Sequence, residues 1–291
     1  MNKKAERMPM KKNIKLIALD MDGTLLNNQG QISKENQIAI RKATDSGIHV
    51  VISTGRAYIG LPVELLCSLG IHYAITSNAA AIYRLPEKEC IYSSCMPPEI
   101  VCPIIPRLKE KEIHFDAFIQ GKRYCEKRML PIIDKLSQMP SATREYVKAT
   151  GNYVENLSDF ILENNLQVEK ITIYFYPLSD GSYKDRESVA SILSEFPEIT
   201  FQTGGYANLE FTKAETTKSK GLRFLAEKFH ISMEETMACG DSQNDLDIIT
   251  AAGIGIAMGN ASADVKAAAD FITLSNEENG VAHAIYQAIK L

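Results

Sequence analysis

Short, nearly continuous apolar runs alternate with amphipathic segments at both ends of this chain, and that alternation narrows the fold more than any other feature. Residues 15–19 (KLIAL), 48–53 (IHVVIS) and 73–76 (YAIT) are such runs. Strands without polar alternate positions belong to sheets covered on both faces, and the helices between them supply the cover. The first helix is expected over residues 33–46, with Ser33 as its N-cap and Gly47 marking its end. The pattern returns late in the chain: a helix over 219–229, a strand at 236–239, a helix over 245–252, then short strands at 255–257 and 271–273.

The middle of the chain follows another logic. Residues 113–119 and 122–126 flank Gln120-Gly121 as a hairpin, which is an antiparallel device. Further strands are expected at 171–176, 200–203 and 208–212, with a helix over 186–196. A chain of 291 residues suits two domains. The economical reading is a doubly wound, Rossmann-like parallel α/β core from residues 1–84 and 213–291, with an α+β domain inserted over 85–212.

Composition closes off several function classes. With 45% hydrophobic and 23% charged residues the chain is neither disordered nor collagenous. Lys and Arg number 32 against 36 Asp and Glu, a net charge of -4, so no positive field exists to hold a nucleic-acid backbone. The six cysteines (67, 90, 95, 102, 125 and 239) include no CxxC pair, and the five histidines add no zinc spacing. Scattered thiols fit a reducing compartment. The basic start, MNKKAERMPMKKNIKLIALD, has an apolar run that ends at Asp20, too short for a signal peptide, and no span of about 20 apolar residues follows. A cytoplasmic protein with no membrane partner and a frayed basic tail before Asn13 is expected.

Four motifs stand where chemistry would be expected, at or near the ends of apolar runs. Asp20-Met21-Asp22-Gly23-Thr24 follows the first strand, and carboxylates at i and i+2 on extended backbone face one side. Ligands of open α/β sheets bind at the carboxyl ends of strands. Two acids there repel unless a cation or a shared proton offsets them. An EF-hand fails, because Gly23 is fourth and Gln31 twelfth where that loop needs glycine sixth and glutamate twelfth. Ser53-Thr54-Gly55-Arg56 follows the second strand and offers a hydroxyl, an open amide and a guanidinium to an oxyanion. Lys220-Gly221 stands at the start of a helix, where Lys218 and Lys220 would ordinarily be solvated charges. Gly240-Asp241-Ser242-Gln243-Asn244-Asp245 follows the strand at 236–239, placing Asp241 to complete an oxygen-rich site for a hard cation such as magnesium. Asp245 has two readings, a site carboxylate or an acid at a helix N-terminus. No Walker pattern is present, and GIGIAMG at 253–259 has its third glycine one position late for a dinucleotide fingerprint.

Taken in order, DMDGT, STGR, KG and GDSQND resemble the four motifs of the haloacid dehalogenase-like hydrolases. The long insertion, the stretch AAGIGIAMGNASADVKAAADFIT and the closing ENGVAHAI look like the Cof-type subgroup of class IIB. The resemblance covers nearly the whole chain and implies a Rossmann-like core, a mobile α/β cap and Mg2+-dependent phosphatase activity through an aspartyl-phosphate. By that resemblance Asp20 is the nucleophile, Asp22 the general acid and base, and Lys220 the charge-screening cation. Met21, Thr54, Gly55, Lys220 and Asn244 contact the phosphate. Asp20, Asp22 through its backbone carbonyl, and Asp241 hold the metal, with Thr24, Arg56 and Asp245 in support. Lys220 is preferred to Lys218 because the family lysine directly precedes a glycine. The subgroup's Asn-Gly-Ala turn is replaced here by Asn78-Ala79-Ala80, and its proline-containing approach to the lysine by residues 212–217.

The expected substrate is a small phosphorylated metabolite of the sugar-phosphate, pyridoxal-phosphate or flavin-mononucleotide class. A phosphomutase and a non-catalytic phosphometabolite-binding regulator are the alternatives. A regulator has no use for both a nucleophile and its acid. Neither the particular substrate nor the oligomeric state is encoded legibly.

Overall fold

The computed structural model describes residues 13–288. The basic tail lies outside those residues. The described strands are β1 (Leu16–Leu19), β2 (His49–Ser53), β3 (Tyr73–Thr76), β4 (Ala81–Arg84), β5 (Glu89–Ser93), β6 (His114–Ile119), β7 (Lys122–Glu126), β8 (Gly151–Val154), β9 (Lys170–Tyr174), β10 (Ile199–Thr203), β11 (Leu209–Lys213), β12 (Thr236–Gly240), β13 (Ile254–Ala257) and β14 (Phe271–Ile272). They form two sheets in two compact units. Among the described residues one unit takes 13–56, Leu61–Tyr92 and 217–288; the other takes Ala57–Gly60 and Ser93–Thr216.

The first sheet runs β14-β13-β12-β1-β2-β3-β4-β5. It is parallel from β14 to β3, and β3 pairs antiparallel with β4. Every residue of β1 is buried, so both faces of that strand are covered. Leu16 and Ala18 share a core with Leu222, Leu225 and Ile248 from the helices Lys218–Lys228 and Leu246–Ala251. The helix Lys34–Asp45 begins on its Ser33 cap and packs against the helix Gly280–Ala288, whose Ala282 amide donates to Asn36 Oδ1 at 2.9 Å. Strand order turns back at β1: β2 and β3 extend to one side, β12 to β14 to the other. Such a reversal opens a crevice at the strands' carboxyl ends. An all-parallel sheet is not what forms at its far edge. The chain reverses in a 3-10 turn at Ser77–Ala79 and adds β4 and β5, so the expected boundary at 84/85 falls inside this sheet.

The second unit holds the sheet β10-β11-β9-β6-β7-β8, antiparallel except for β7 against β8. The hairpin joining β6 to β7 pairs Ile119 with Lys122, and both Gln120 and Gly121 take positive φ, 50° and 68°. A two-residue loop of that hand matches the twist of the flanking strands. Phe115, Ile171, Ile173 and Phe211 alternate onto one face and pack against the helices Ile104–Lys109, Leu157–Glu163 and Arg186–Ser194. Among the described residues no helix is long and apolar enough to cross a membrane.

Candidate active site

The site is assembled at the carboxyl ends of β1 and β12. The Asp20 amide donates to the Cys239 carbonyl at 3.0 Å, extending the β1–β12 ladder one residue past β1 and fixing Asp20 beside β12. Asp241 is the first residue beyond β12, and Asp245 ends the following 3-10 turn. Carboxylate oxygens of these three acids all lie within 4.8 Å of one another. One buried ammonium joins two of them: Lys218 Nζ donates to Asp20 Oδ1 at 2.7 Å and to Asp245 Oδ1 at 2.6 Å. Asp245 also accepts the Asp241 and Ser242 amides at Oδ2, each at 3.1 Å, and so shapes the turn that presents Asp241. Thr24 Oγ1 donates to Asp241 Oδ1 at 2.9 Å.

Two glycines make the close approach possible. A Cβ on Gly23 would lie 2.4 Å from Asp241 Oδ2, and Gly23 holds φ +77°; a Cβ on Gly240 would strike the Asp245 side chain, also at 2.4 Å. Burial raises the Asp20 carboxyl well above its ordinary range, with the charges of Asp245 and Asp241 adding to the shift and Lys218 opposing it. Burial, then the neighbouring Asp245 charge, pushes Asp241 up to about 6. Burial would lower the Lys218 ammonium, but Asp20 and Asp245 outweigh it and hold the lysine protonated. Three carboxylates against one ammonium leave an excess of negative charge on hard oxygen donors, a donor set suited to a magnesium ion.

The lysine that meets Asp20 stands two residues before the expected one. Lys218, not Lys220, reaches Asp20. The helix buries Lys218, Gly221, Leu222 and Leu225, an i, i+3, i+4, i+7 face. Lys220 lies about 200° round the helix from Lys218 and is exposed. The expectation for Asp22 also changes. β1 stops at Leu19 and residues 21–23 turn, so Asp22 is not a strand partner of Asp20. Its side chain is 60% exposed and accepts a forked pair of bonds from Arg56, Nε to Oδ2 at 2.7 Å and Nη2 to Oδ1 at 2.5 Å. The Met21 side chain is fully buried, which leaves only its backbone to face a ligand.

Beyond β2, Thr54 is buried, with its amide on the Ile75 carbonyl and its Oγ1 accepting from the Arg56 amide at 3.1 Å. Gly55 faces two carboxamides: a Cβ there would sit 3.3 Å from Asn78 Oδ1 and 3.6 Å from Asn244 Nδ2. Asn244 Nδ2 donates to Asn78 Oδ1 at 3.1 Å, and Asn244 Oδ1 accepts from Ser242 Oγ at 2.7 Å. Asn78 was not anticipated as part of the site. Its signal was present as an amide directly after the third strand, in the left-handed conformation that asparagine tolerates. Asn260, also unanticipated, donates to the Gly23 carbonyl at 2.8 Å.

Two other features do not belong to this site. A cavity of about 540 Å³ beside His49, His72 and Arg84 opens at the amino ends of β2 and β3, the opposite end of the sheet. In the second unit His114, Asp116 and Cys125 are buried together, but the Arg123 guanidinium lies 3.5 Å from Asp116 and already balances its charge.

A model of the haloacid dehalogenase-like hydrolase family matches residues 17–285. The chain belongs to that family. It is 32% identical over 280 residues to Phosphatase YwpJ of Bacillus subtilis (strain 168), spanning 93% of this chain and 98% of that protein. It is 34% identical over 279 residues to the 5-amino-6-(5-phospho-D-ribitylamino)uracil phosphatase YcsE of the same organism, spanning 94% and 95%. The subclass IIB sugar phosphatase BT4131 superposes with a TM-score of 0.73 at 25% identity, covering 94% of this chain and 98% of that one. The chain is therefore a Cof-type, class IIB haloacid dehalogenase-like phosphatase acting on phosphorylated metabolites, with a mainly parallel core sheet and a separate inserted mixed sheet.

Proposed function

We propose that this phosphatase hydrolyses small phosphate monoesters in two steps through a phosphorylated Asp20. The buried Asp20 carboxylate, held by Lys218 beside Asp241 and Asp245, carries the reading. In the first step an Asp20 oxygen forms a bond to phosphorus while the bond from phosphorus to the alcohol oxygen breaks. The departing oxygen takes a proton from Asp22. In the second, Asp22 takes a proton from water, the water oxygen bonds to phosphorus, and Asp20 leaves as a carboxylate. Lys218 opposes the negative charge shared by nucleophile and phosphoryl group, while Thr54, the Gly55 amide and Asn244 hold phosphoryl oxygens. Asp20, Asp241 and the Asp22 carbonyl would hold Mg2+, which when bound supplies charge neutralisation for the phosphoryl oxygens.

The inserted unit is the cap in this reading and supplies recognition of the alcohol. YcsE and BT4131 are described as acting on a ribitylaminouracil phosphate and on sugar phosphates. A polyhydroxylated phosphate ester is the proposed substrate class. The test is rapid-quench phosphate transfer with mass spectrometry of the protein. Asp20→Asn should form no covalent intermediate with any ester. Asp22→Asn should be phosphorylated by an activated aryl phosphate and then release phosphate slowly. A phosphorylated Asp20→Asn protein would reject the nucleophile; normal dephosphorylation of Asp22→Asn would reject the base.

A further inference from the structure

The two carboxylates of the first motif are held by different cations in different surroundings. Asp20 is buried on Lys218; Asp22 is mostly exposed on Arg56. The β1–β2 register ends with Leu19 beside Ile52, and the turn that follows β1 brings Asp22 to Arg56 in the loop after β2. The Arg56 amide is itself fixed on Thr54 Oγ1, so the arginine springs from a backbone that the site already orders. Its guanidinium meets Asp22 with Nε and Nη2 on separate carboxylate oxygens. A fork of this kind fixes the plane of the carboxylate as well as its position, which a lysine's point charge does not do. Each carboxylate oxygen keeps a second lone pair that the fork leaves open.

Resting on the roles proposed above for Asp20 and Asp22, we infer that Arg56 is the positioning residue for Asp22. It clamps the carboxyl plane so that the position left open on one oxygen presents its proton to the leaving oxygen in the first step and its lone pair to the attacking water in the second. Without the fork an exposed aspartate side chain turns freely about χ1 and χ2, and the fraction of molecules aligned for proton transfer falls. Arg56 acts only through Asp22 in this scheme. Its loss should matter most where proton transfer matters most, for alkyl esters whose leaving oxygen needs a proton and for hydrolysis of the phosphoenzyme.

The experiment is a double-mutant cycle of Arg56→Gln and Asp22→Asn, read with an alkyl phosphate and with an activated aryl phosphate, with Arg56→Lys as the conservative variant. Arg56→Gln should lower kcat for the alkyl ester about ten-fold or more, leave phosphorylation by the aryl ester within about three-fold, and let phosphoenzyme accumulate. The ten-fold threshold lies below the roughly 10²–10⁴-fold worth of a general acid or base, as expected when that group is misaligned but still present. Arg56→Lys, keeping charge but not the fork, should resemble Arg56→Gln. In the Asp22→Asn background, removing Arg56 should cost nothing further. The inference is overturned if the two substitutions multiply, if alkyl and aryl esters lose equally with a raised KM, as for a substrate-binding arginine, or if Arg56→Lys is fully active. If Asp22→Asn alone shows no dependence on the leaving group, the role given to Asp22 fails instead, and the inference falls with it.

Discussion

Replacing Lys218 with methionine should abolish most activity and much stability, whereas replacing Lys220 with alanine should do neither. Lys218 is 1% exposed and supplies a hydrogen-bonded positive charge to both Asp20 and Asp245. Methionine keeps the length and removes the charge, leaving two carboxylates buried against each other. Removing one partner from a buried ion pair costs about 3–5 kcal/mol. Removing a preorganised charge that faces a developing oxyanion costs about 10²–10³ in kcat. Lys220 is exposed on the outer face of the helix, and such a substitution stays within about 0.5 kcal/mol. Lys218→Met combined with Asp245→Asn separates the two effects: one cation and one anion are removed together, so thermal stability should recover in part while activity does not. The assays are released inorganic phosphate and thermal melting on the same preparations. A Lys218→Met enzyme with kcat within about three-fold of wild type, or a Lys220→Ala enzyme that loses more than Lys218→Met, would refute the assignment.

Three further outcomes follow from the same geometry. Gly23→Ala places a Cβ 2.4 Å from Asp241 Oδ2 at φ +77°; it should lower the urea midpoint by the equivalent of about 1–2 kcal/mol and raise the magnesium concentration for half-maximal activity, and an unchanged magnesium requirement would count against the Asp241 site. Asp241 is raised to about 6 from an ordinary 3.8, so below pH 6 a cation must displace a proton. Without metal, stability should fall as pH rises from about 4 to about 6 because the folded state binds the extra proton in that window, and the magnesium-induced rise in melting temperature should be larger at pH 7.5 than at pH 5. Equal rises at both pH values would exclude Asp241 as a ligand. Burial pushes the Cys239 thiol up to about 12, so in the folded enzyme it should resist thiol reagents that modify the exposed Cys90, as checked by peptide mapping; labelling of Cys239 at the rate of Cys90 would contradict its burial.

What the chain disclosed before folding, and what it hid, divide along one physical line. Strands covered on both faces announce themselves by composition alone, and β1, β2, β3 and β12 lie within a residue or so of the apolar runs. The hairpin of the second unit was equally plain, because Gln120-Gly121 satisfies a turn that needs two positive φ values. The short helices Ile104–Lys109 and Leu157–Glu163 were not anticipated, since two turns carry too little periodicity to stand out from loops. Ala79 at φ +76° hid the turn after β3, because alanine carries none of the signal that glycine would at that angle.

In the site, Asp20 and Asp241 were legible because each interrupts an apolar run where it reaches a strand's carboxyl end. Adjacency to Gly221 points to Lys220, whereas the helix sorts its residues by angle. Lys218 lies on the face of Gly221, Leu222 and Leu225, and Lys220 does not. The 3.6-residue period by itself puts Lys218, and not Lys220, on the apolar face. Asp22 shows the converse: its spacing to Asp20 implied a shared strand face, but β1 stops at Leu19 and the turn that follows brings Asp22 to Arg56. Gly23 lies in that same turn and leaves room for Asp241, so one short segment holds Asp20 buried on Lys218, Asp22 exposed on Arg56 and Asp241 close to both strands' ends.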